Sequence, residues 1–243
     1  DEFYALLEKS GELPVTSQPS PGEFAEVYRK IAKDDPEILS IHLSSGLSGT
    51  YNSAVLAAEM VPEANVTVVD TKTLSAAAGW QVWAAVRGLN LGWPKVKILA
   101  KMKEIADGTT SIYTLKDIKY LIHGGRISHI KGLLASVLNI KPIIGVHKKL
   151  GNYFQVGQEF TFGKALNKLA EIVRKGTEKM ELMRVQVVHT GNPKSAQQLR
   201  DKIDSILNCK WNPIGQISYV LGAHTGPSMI GVGFAKEAIF SDL

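Results

Sequence analysis

The sequence predicts an α/β protein made of two successive α/β domains. A three-layer domain with a parallel sheet is expected over 1–137, and a two-layer domain with a mixed sheet over 138–243. Three observations carry this. Apolar strand-like runs alternate with amphipathic helical segments from about residue 20 to residue 114, which implies right-handed crossovers and parallel pairing. After about Leu138 the alternation gives way to a hairpin pattern. The strands beyond it alternate with amphipathic helices, as in a mixed sheet covered on one side.

Each element has a local cause. Ser20-Pro21-Gly22-Glu23 is a capping box with proline at the first helical position. Phe24, Val27, Tyr28 and Ile31 follow at helical spacing. Residues 38–43 form a short apolar strand, and Ser48 is placed to cap the next helix, which runs to about Met60. A second strand at 66–69 is closed by Asp70. Helices are expected at about 75–87 and 95–106, parted by the 88–94 break, and 111–114 reads as a third strand. In the second half, 140–146 and 153–156 pair across His147-Lys148-Lys149-Leu150-Gly151-Asn152, which suits a hairpin turn. Ala165, Leu166, Leu169, Ile172 and Val173 mark one helix face. A strand at 185–188, a helix at 194–207 and two strands flanking the loop 222–227 complete the chain.

Composition excludes several classes of function. The 243 residues are 44% hydrophobic and 21% charged, which suits a soluble globular chain with a sizeable core. One cysteine, Cys209, rules out an internal disulfide and fits a reducing, cytoplasmic setting. No apolar run approaches the roughly 18 residues of a membrane span. No signal peptide is visible, although the chain starts at Asp1 without an initiator Met. The net charge of +5 comes largely from lysines on helical faces, such as Lys95, Lys97, Lys101 and Lys103. Aromatic residues are not interleaved with them, so a nucleic-acid surface is not indicated. His123, His129, His147 and His189 form no metal-ligand spacing with acids or Cys209, and His42, in a strand, reads as a satisfied core or interface residue.

The stretch Ile41-His42-Leu43-Ser44-Ser45-Gly46-Leu47-Ser48-Gly49-Thr50-Tyr51 is the most informative. A strand runs into a loop of small hydroxyl and glycine residues and then a helix start, which gathers N–H groups and hydroxyls around one oxyanion. Thr16-Ser17-Gln18-Pro19-Ser20 is a second hydroxyl-rich loop entering a helix. His224, in Gly222-Ala223-His224-Thr225-Gly226-Pro227, sits in a glycine-flanked loop and can donate to an anion or pair with it as imidazolium. Leu121-Ile122-His123-Gly124-Gly125-Arg126 reads as a helix end with a left-handed glycine, Arg126 tying the corner to a carboxylate, with ligand contact as the alternative role. Ser48 has two readings. It is a helix cap, or, because Gly46-Leu47-Ser48-Gly49 approaches a nucleophile elbow, the serine of a hydrolase with His224 and Asp70. A binder of phosphorylated metabolites is a further reading of the same loop.

Five segments in order resemble the DegV family. They are 16–24, 44–51, Gly124-Gly125-Arg126-Ile127-Ser128, Leu138-Asn139-Ile140-Lys141-Pro142 and His224-Thr225-Gly226-Pro227. The resemblance implies a cytoplasmic, non-catalytic bacterial carrier that holds one long-chain fatty acid, such as palmitate or stearate, between two α/β domains. It also implies a partner, the separate ATP-binding subunit of a fatty acid kinase, to which the carboxylate is presented. No cofactor is implied. The family's carboxylate ligands fall on Thr16, Ser48 with Gly49, and His224, with Ser17 and Ser45 as neighbours. The sequence departs from the family in two places. DegV proteins open with a strand ending in Asp-Ser, then a helix and a strand, before a segment like 1–13, so the given chain is expected to start inside the protein. Ser228 also stands where the family often has glycine, which bears on the loop carrying His224.

The implied ligand is physically sensible. Each buried CH₂ is worth about 0.8 kcal/mol, so about 14 methylenes give on the order of 11 kcal/mol gross. Ordering and association reduce that sum. The head-group site then has one duty, to keep the carboxylate from being buried unpaired, which costs several kcal/mol.

Overall fold

The computed structural model describes residues 2–127, 139–177 and 180–243. The first half contains α1 (Glu2–Ser10), α2 (Pro21–Ala32), β1 (Glu37–His42), α3 (Thr50–Glu59), β2 (Asn65–Asp70), α4 (Ser75–Asn90), α5 (Lys95–Gly108), β3 (Thr110–Thr114) and α6 (Lys119–His123). The second half contains β4 (Lys141–Val146), β5 (Tyr153–Glu159), α7 (Phe162–Lys175), β6 (Met183–His189), α8 (Pro193–Asp204), β7 (Cys209–Trp211), β8 (Gly215–Gln216), α9 (Tyr219–Thr225) and β9 (Ile230–Lys236). Ser128, His129 and Leu138, which the sequence motifs include, lie outside the described residues.

Strands β1 and β2 pair in parallel as the middle of three layers. The alternation of a strand sends Ile38 and Val66 to one face, against Ala25, Tyr28, Ala57 and Val61 of α2, α3 and the turn after it. Leu39, Ile41 and Val69 go to the other, against Ala85, Ile98 and Met102 of α4 and α5. The capping box at Ser20 forms as read, with Ser20 accepting from the Glu23 N–H and Glu23 reaching back to the Ser20 N–H. Such a cap is worth about 1 kcal/mol. The apolar stripe of α2 is only partly buried. Tyr28 is covered, whereas Val27 and Ile31 are 51% and 42% exposed, because a two-stranded sheet covers only a narrow strip of helix.

The second sheet has seven strands in the order β5-β4-β3-β9-β6-β7, with β8 also paired to β6. Its β3, β4, β5, β6 and β9 pairings are antiparallel, and β7 and β8 run parallel to β6. Helices α7 and α8 bury Leu166, Leu169, Val173, Leu199 and Ile203 on one face, against Ile112, Val185, Val187 and Val232. The opposite face receives Trp80 and Ala84 of α4. Helix α4 therefore lies between the two sheets, and its Trp80 indole N–H donates to Gln186 Oε1 across that interface at 3.0 Å.

Two expectations are corrected. The strand at 111–114 does not continue the parallel sheet; β3 pairs antiparallel with β4 and β9 in the mixed sheet. Ile112 and Tyr113 are 2% and 5% exposed, so this strand is buried on both faces, Ile112 against α7 and α8 and Tyr113 against Leu74 and Leu121. The segment 222–227 is not a loop, because α9 runs through Thr225 and Gly226 closes it at φ +71. Gly222 is a packing glycine: a Cβ there would meet the Tyr4 hydroxyl at 2.5 Å.

Candidate functional site

The carboxyl end of β1 delivers the loop 43–49, and its first serine fixes its place. Ser44 is fully buried. Its N–H donates to Thr73 O, and its hydroxyl donates to the carbonyl of Gly151 in the β4–β5 hairpin at 2.8 Å. That hairpin therefore anchors the loop from the far sheet. The N–H groups of Leu47 and Ser48 return to the Ser44 carbonyl, and the Gly46 N–H donates to Ser44 Oγ. Much of the donor set the sequence offered to an anion is thus spent within the loop.

Gly49, rather than Ser48, is the N-cap of α3. Ser48 Oγ instead accepts the Thr50 N–H at 3.2 Å and bonds the Thr50 hydroxyl at 2.9 Å. No hydrogen bond given by the described residues takes the Gly49 N–H. Gly49 also admits a neighbour closely, since a Cβ there would lie 2.9 Å from the Gln18 side chain. The Thr16 loop and the Ser48 loop are therefore in contact.

Thr16 Oγ1 lies 2.7 Å from His224 Nε2. His224, in the last turn of α9, is 8% exposed, and its Nδ1 is buried without a hydrogen-bond partner. Burial holds the imidazole below its ordinary pKa of 6.5, and the nearby charges of Arg126 and His123 push it further the same way. The ring packs on Gly124, where a Cβ would collide with Nδ1. Arg126 closes the circle by donating from Nε to Leu47 O at 3.3 Å and from Nη1 to Gly124 O at 2.6 Å. It ties two backbone carbonyls rather than the carboxylate expected of it. Gly125, at φ +72, supplies the left-handed position read from the sequence. The pairing of Gly124 with His224 was not legible in the chain; only the doubled glycine hinted at a crowded corner.

The remaining candidates divide. Ser17 is exposed. Ser45 belongs to another cluster: its N–H donates to Asp70 Oδ1, its hydroxyl accepts from Lys72, and Lys72 also pairs with Asp70 at 2.8 Å. Burial raises the Asp70 pKa, but the hydrogen bonds from Lys72 and Ser45 outweigh it and leave the carboxylate lowered. Among the described residues, Ser48, His224 and Asp70 thus sit on three separate hydrogen-bond systems and not on the connected relay that a serine hydrolase uses. His42 is half-buried and bonds Ser40, which bonds Tyr28. Ser228 accepts the Lys116 N–H at 3.0 Å, so it ties the chain after α9 to the end of β3.

Beside this circle lies an apolar cluster drawn from both halves of the chain, including Leu43, Leu47, Leu74, Leu121, Tyr113, Ile144 and Tyr153. Burial pushes the Tyr113 hydroxyl up to about 12. No helix among the described residues is long and apolar enough to cross a membrane. The chain belongs to the DegV family: the model described as "Uncharacterised protein, DegV family" matches residues 1–237. A DegV domain-containing protein of Staphylococcus aureus (strain N315) is 32% identical over 237 residues, which are 98% of this chain and 84% of the relative. The fold is similar to a DegV lipid-binding protein from Thermotoga maritima (TM-score 0.86, 29% identity, 97% of this chain and 82% of that one). It is also similar to a fatty-acid-binding DegV family protein from Thermus thermophilus (TM-score 0.84, 28% identity, 97% and 83%).

Proposed function

We propose that this protein is a non-catalytic carrier that binds a long-chain fatty acid, such as palmitate or stearate, and presents its carboxylate to a separate ATP-binding kinase subunit. The observation that carries the reading is the 2.7 Å contact between Thr16 Oγ1 and His224 Nε2, set against the Ser48–Gly49 loop and an apolar cluster. Solved DegV relatives that bind lipid and fatty acid support it. The carboxylate is received by the Thr16 and Ser48 hydroxyls and the Gly49 N–H, with His224 acting on it through Thr16. With Nε2 protonated, His224 donates to Thr16 and frees the threonine hydroxyl proton for the ligand. A helix N-terminus adds a partial positive charge worth roughly 0.3–1 kcal/mol. The acyl chain supplies most of the affinity through burial.

The test is mass spectrometry of the natively purified protein, followed by titration of delipidated protein with palmitate. Release of a fatty acid and its re-uptake are expected; delipidated protein that takes up none sinks the reading. The double variant Thr16→Ala with Ser48→Ala should bind palmitate more weakly while still folding. Presentation is tested by adding a fatty acid kinase subunit and ATP. Acyl phosphate should form only when this protein is present.

A further inference from the structure

A small polar pocket of about 30 Å³ lies under the β4–β5 turn, lined by Thr71, Gln81, Thr109, Ser111 and Lys148 among others. Thr16, Ser48 and His224 take no part in it. Thr71, Gln81, Thr109 and Ser111 are 3%, 2%, 5% and 7% exposed. Polar groups buried so deeply are costly unless each finds a partner. Thr109 Oγ1 and Ser111 Oγ have none among the described residues. The Tyr113 hydroxyl lies near Ser111 without reaching hydrogen-bond geometry. Gln81 donates to Thr71 O at 3.1 Å, and no hydrogen bond among the described residues reaches its Oε1. We propose that this pocket holds about two ordered water molecules, and that the wet pocket, with Lys148 drawn across it, sets the position of the turn that anchors the loop 43–49.

Size and charge select water. A buried water needs at least about 10–15 Å³ and two to four polar partners, so the space admits about two. Each water accepts from one hydroxyl and donates to another or to Gln81 Oε1, and neither hydroxyl is then left alone. An anion is opposed by Asp107, which lines the pocket, and by the carbonyl end of α5, the negative pole of that helix. A metal ion is opposed by the Lys148 ammonium, and the described residues contain no group of three His, Cys, Asp or Glu that could hold one.

Lys148 is the strap. It is exposed in the turn, and its ammonium donates to Asp107 O at the end of α5. Partial burial holds that ammonium below its ordinary pKa, against the pull of Asp107. The same turn offers its other side to the loop 43–49. Gly151 O accepts the Ser44 hydroxyl at 2.8 Å, and Gly46 sits so close that a Cβ there would lie 2.6 Å from Leu150 O. The turn is therefore gripped between α5 and the loop, and whatever seats Lys148 also seats the loop.

Thr109→Val separates a wet pocket from a dry one. Thr109 is extended, at φ −92 and ψ 138, a conformation valine adopts as readily, and the shape of the side chain is kept. In a dry pocket the substitution removes an orphan hydroxyl and raises the thermal midpoint. In a wet one it strips a water of a partner, and the midpoint should fall by about 2–4 °C. A midpoint that rises or stays put overturns the proposal. A high-resolution crystal structure should show water bonded to Thr109, Ser111 and Gln81; a dry pocket, or an ion in it, also overturns it. Lys148→Met keeps the length of the side chain and removes the ammonium. Amide exchange over 44–49 should quicken severalfold while β6 exchanges as in wild type, and Lys148→Arg should bring the rate back. Unchanged exchange in the methionine variant, or an equal rise in β6, overturns the strap. None of these readouts needs a ligand, so they hold or fail independently of the fatty-acid reading.

Discussion

Thr16 and His224 stand 208 positions apart in the chain and 2.7 Å apart in the fold. Each comes from a different part of the architecture, Thr16 from the approach to α2 and His224 from the last turn of α9. Their contact brings together distant parts of the chain where hydroxyls, an imidazole and a helix start meet.

Thr16→Val keeps the shape and removes the oxygen. His224 Nδ1 already lacks a partner, so the substitution leaves both ring nitrogens unpaired in a largely buried ring. The expected cost is about 1–3 kcal/mol of stability, read by urea denaturation. Thr16→Ser should restore most of it. Equal stability of the valine variant and wild type would show the bond to be idle.

Gly124→Ala should be disproportionately harmful for one methyl group. Its Cβ would collide with His224 Nδ1, and an imidazole held by Thr16 cannot yield without breaking that bond. A loss of about 1–3 kcal/mol is expected from the overpacking, together with weakened palmitate binding. Gly125→Ala, one residue further on, gains a Cβ that meets no neighbour within 4 Å, but the position carries φ +72. It should cost about 1–2 kcal/mol through backbone strain and leave ligand affinity closer to normal.

Gly151→Ala tests the anchor of the oxyanion loop. Gly151 has φ +70, and a Cβ there would strike the Ser44 hydroxyl that bonds its carbonyl. Strain of about 1–2 kcal/mol should add to the loss of that buried bond. Hydrogen exchange in the 44–49 segment should rise relative to wild type; unchanged exchange would mean the hairpin does not hold the loop.

Stability should fall on mild acidification. Burial holds His42, His189 and His224 below 6.5 in the folded protein, opposed at His42 by Asp70 and reinforced at His224 by Arg126 and His123. A histidine depressed by folding contributes stability that is complete above the unfolded value of 6.5 and is lost as pH falls through the lower folded value. The thermal midpoint should therefore decline below about pH 6.5. His224→Gln should reduce the slope of that decline. An identical slope in the variant would remove His224 from the account.

Much was legible in the chain because it is local. The capping box fixed α2 at Pro21, alternating apolar residues fixed β1, β2 and β6, and the Gly151 turn fixed the β4–β5 hairpin. Local patterns misled where a glycine served packing instead of turning. Gly222 made α9 look like a loop, although its missing Cβ only makes room for Tyr4. The sheet to which β3 belongs was not legible either, since a short apolar run carries no information about its partners.

By itself the sequence determined the alternation of elements, the family, and the three segments holding Thr16, Ser48–Gly49 and His224. Hydrogen-bonding capacity and periodicity are properties of neighbouring residues, so they can be read in order along the chain. Only the tertiary structure decided that Ser44 would spend the loop's first donors, that Ser45 would serve Asp70 and Lys72, and that Arg126 would bind carbonyls. The reason is that a hydrogen bond is set by distance and direction. Those are fixed when two sheets close on α4, long after the sequence has named the donors.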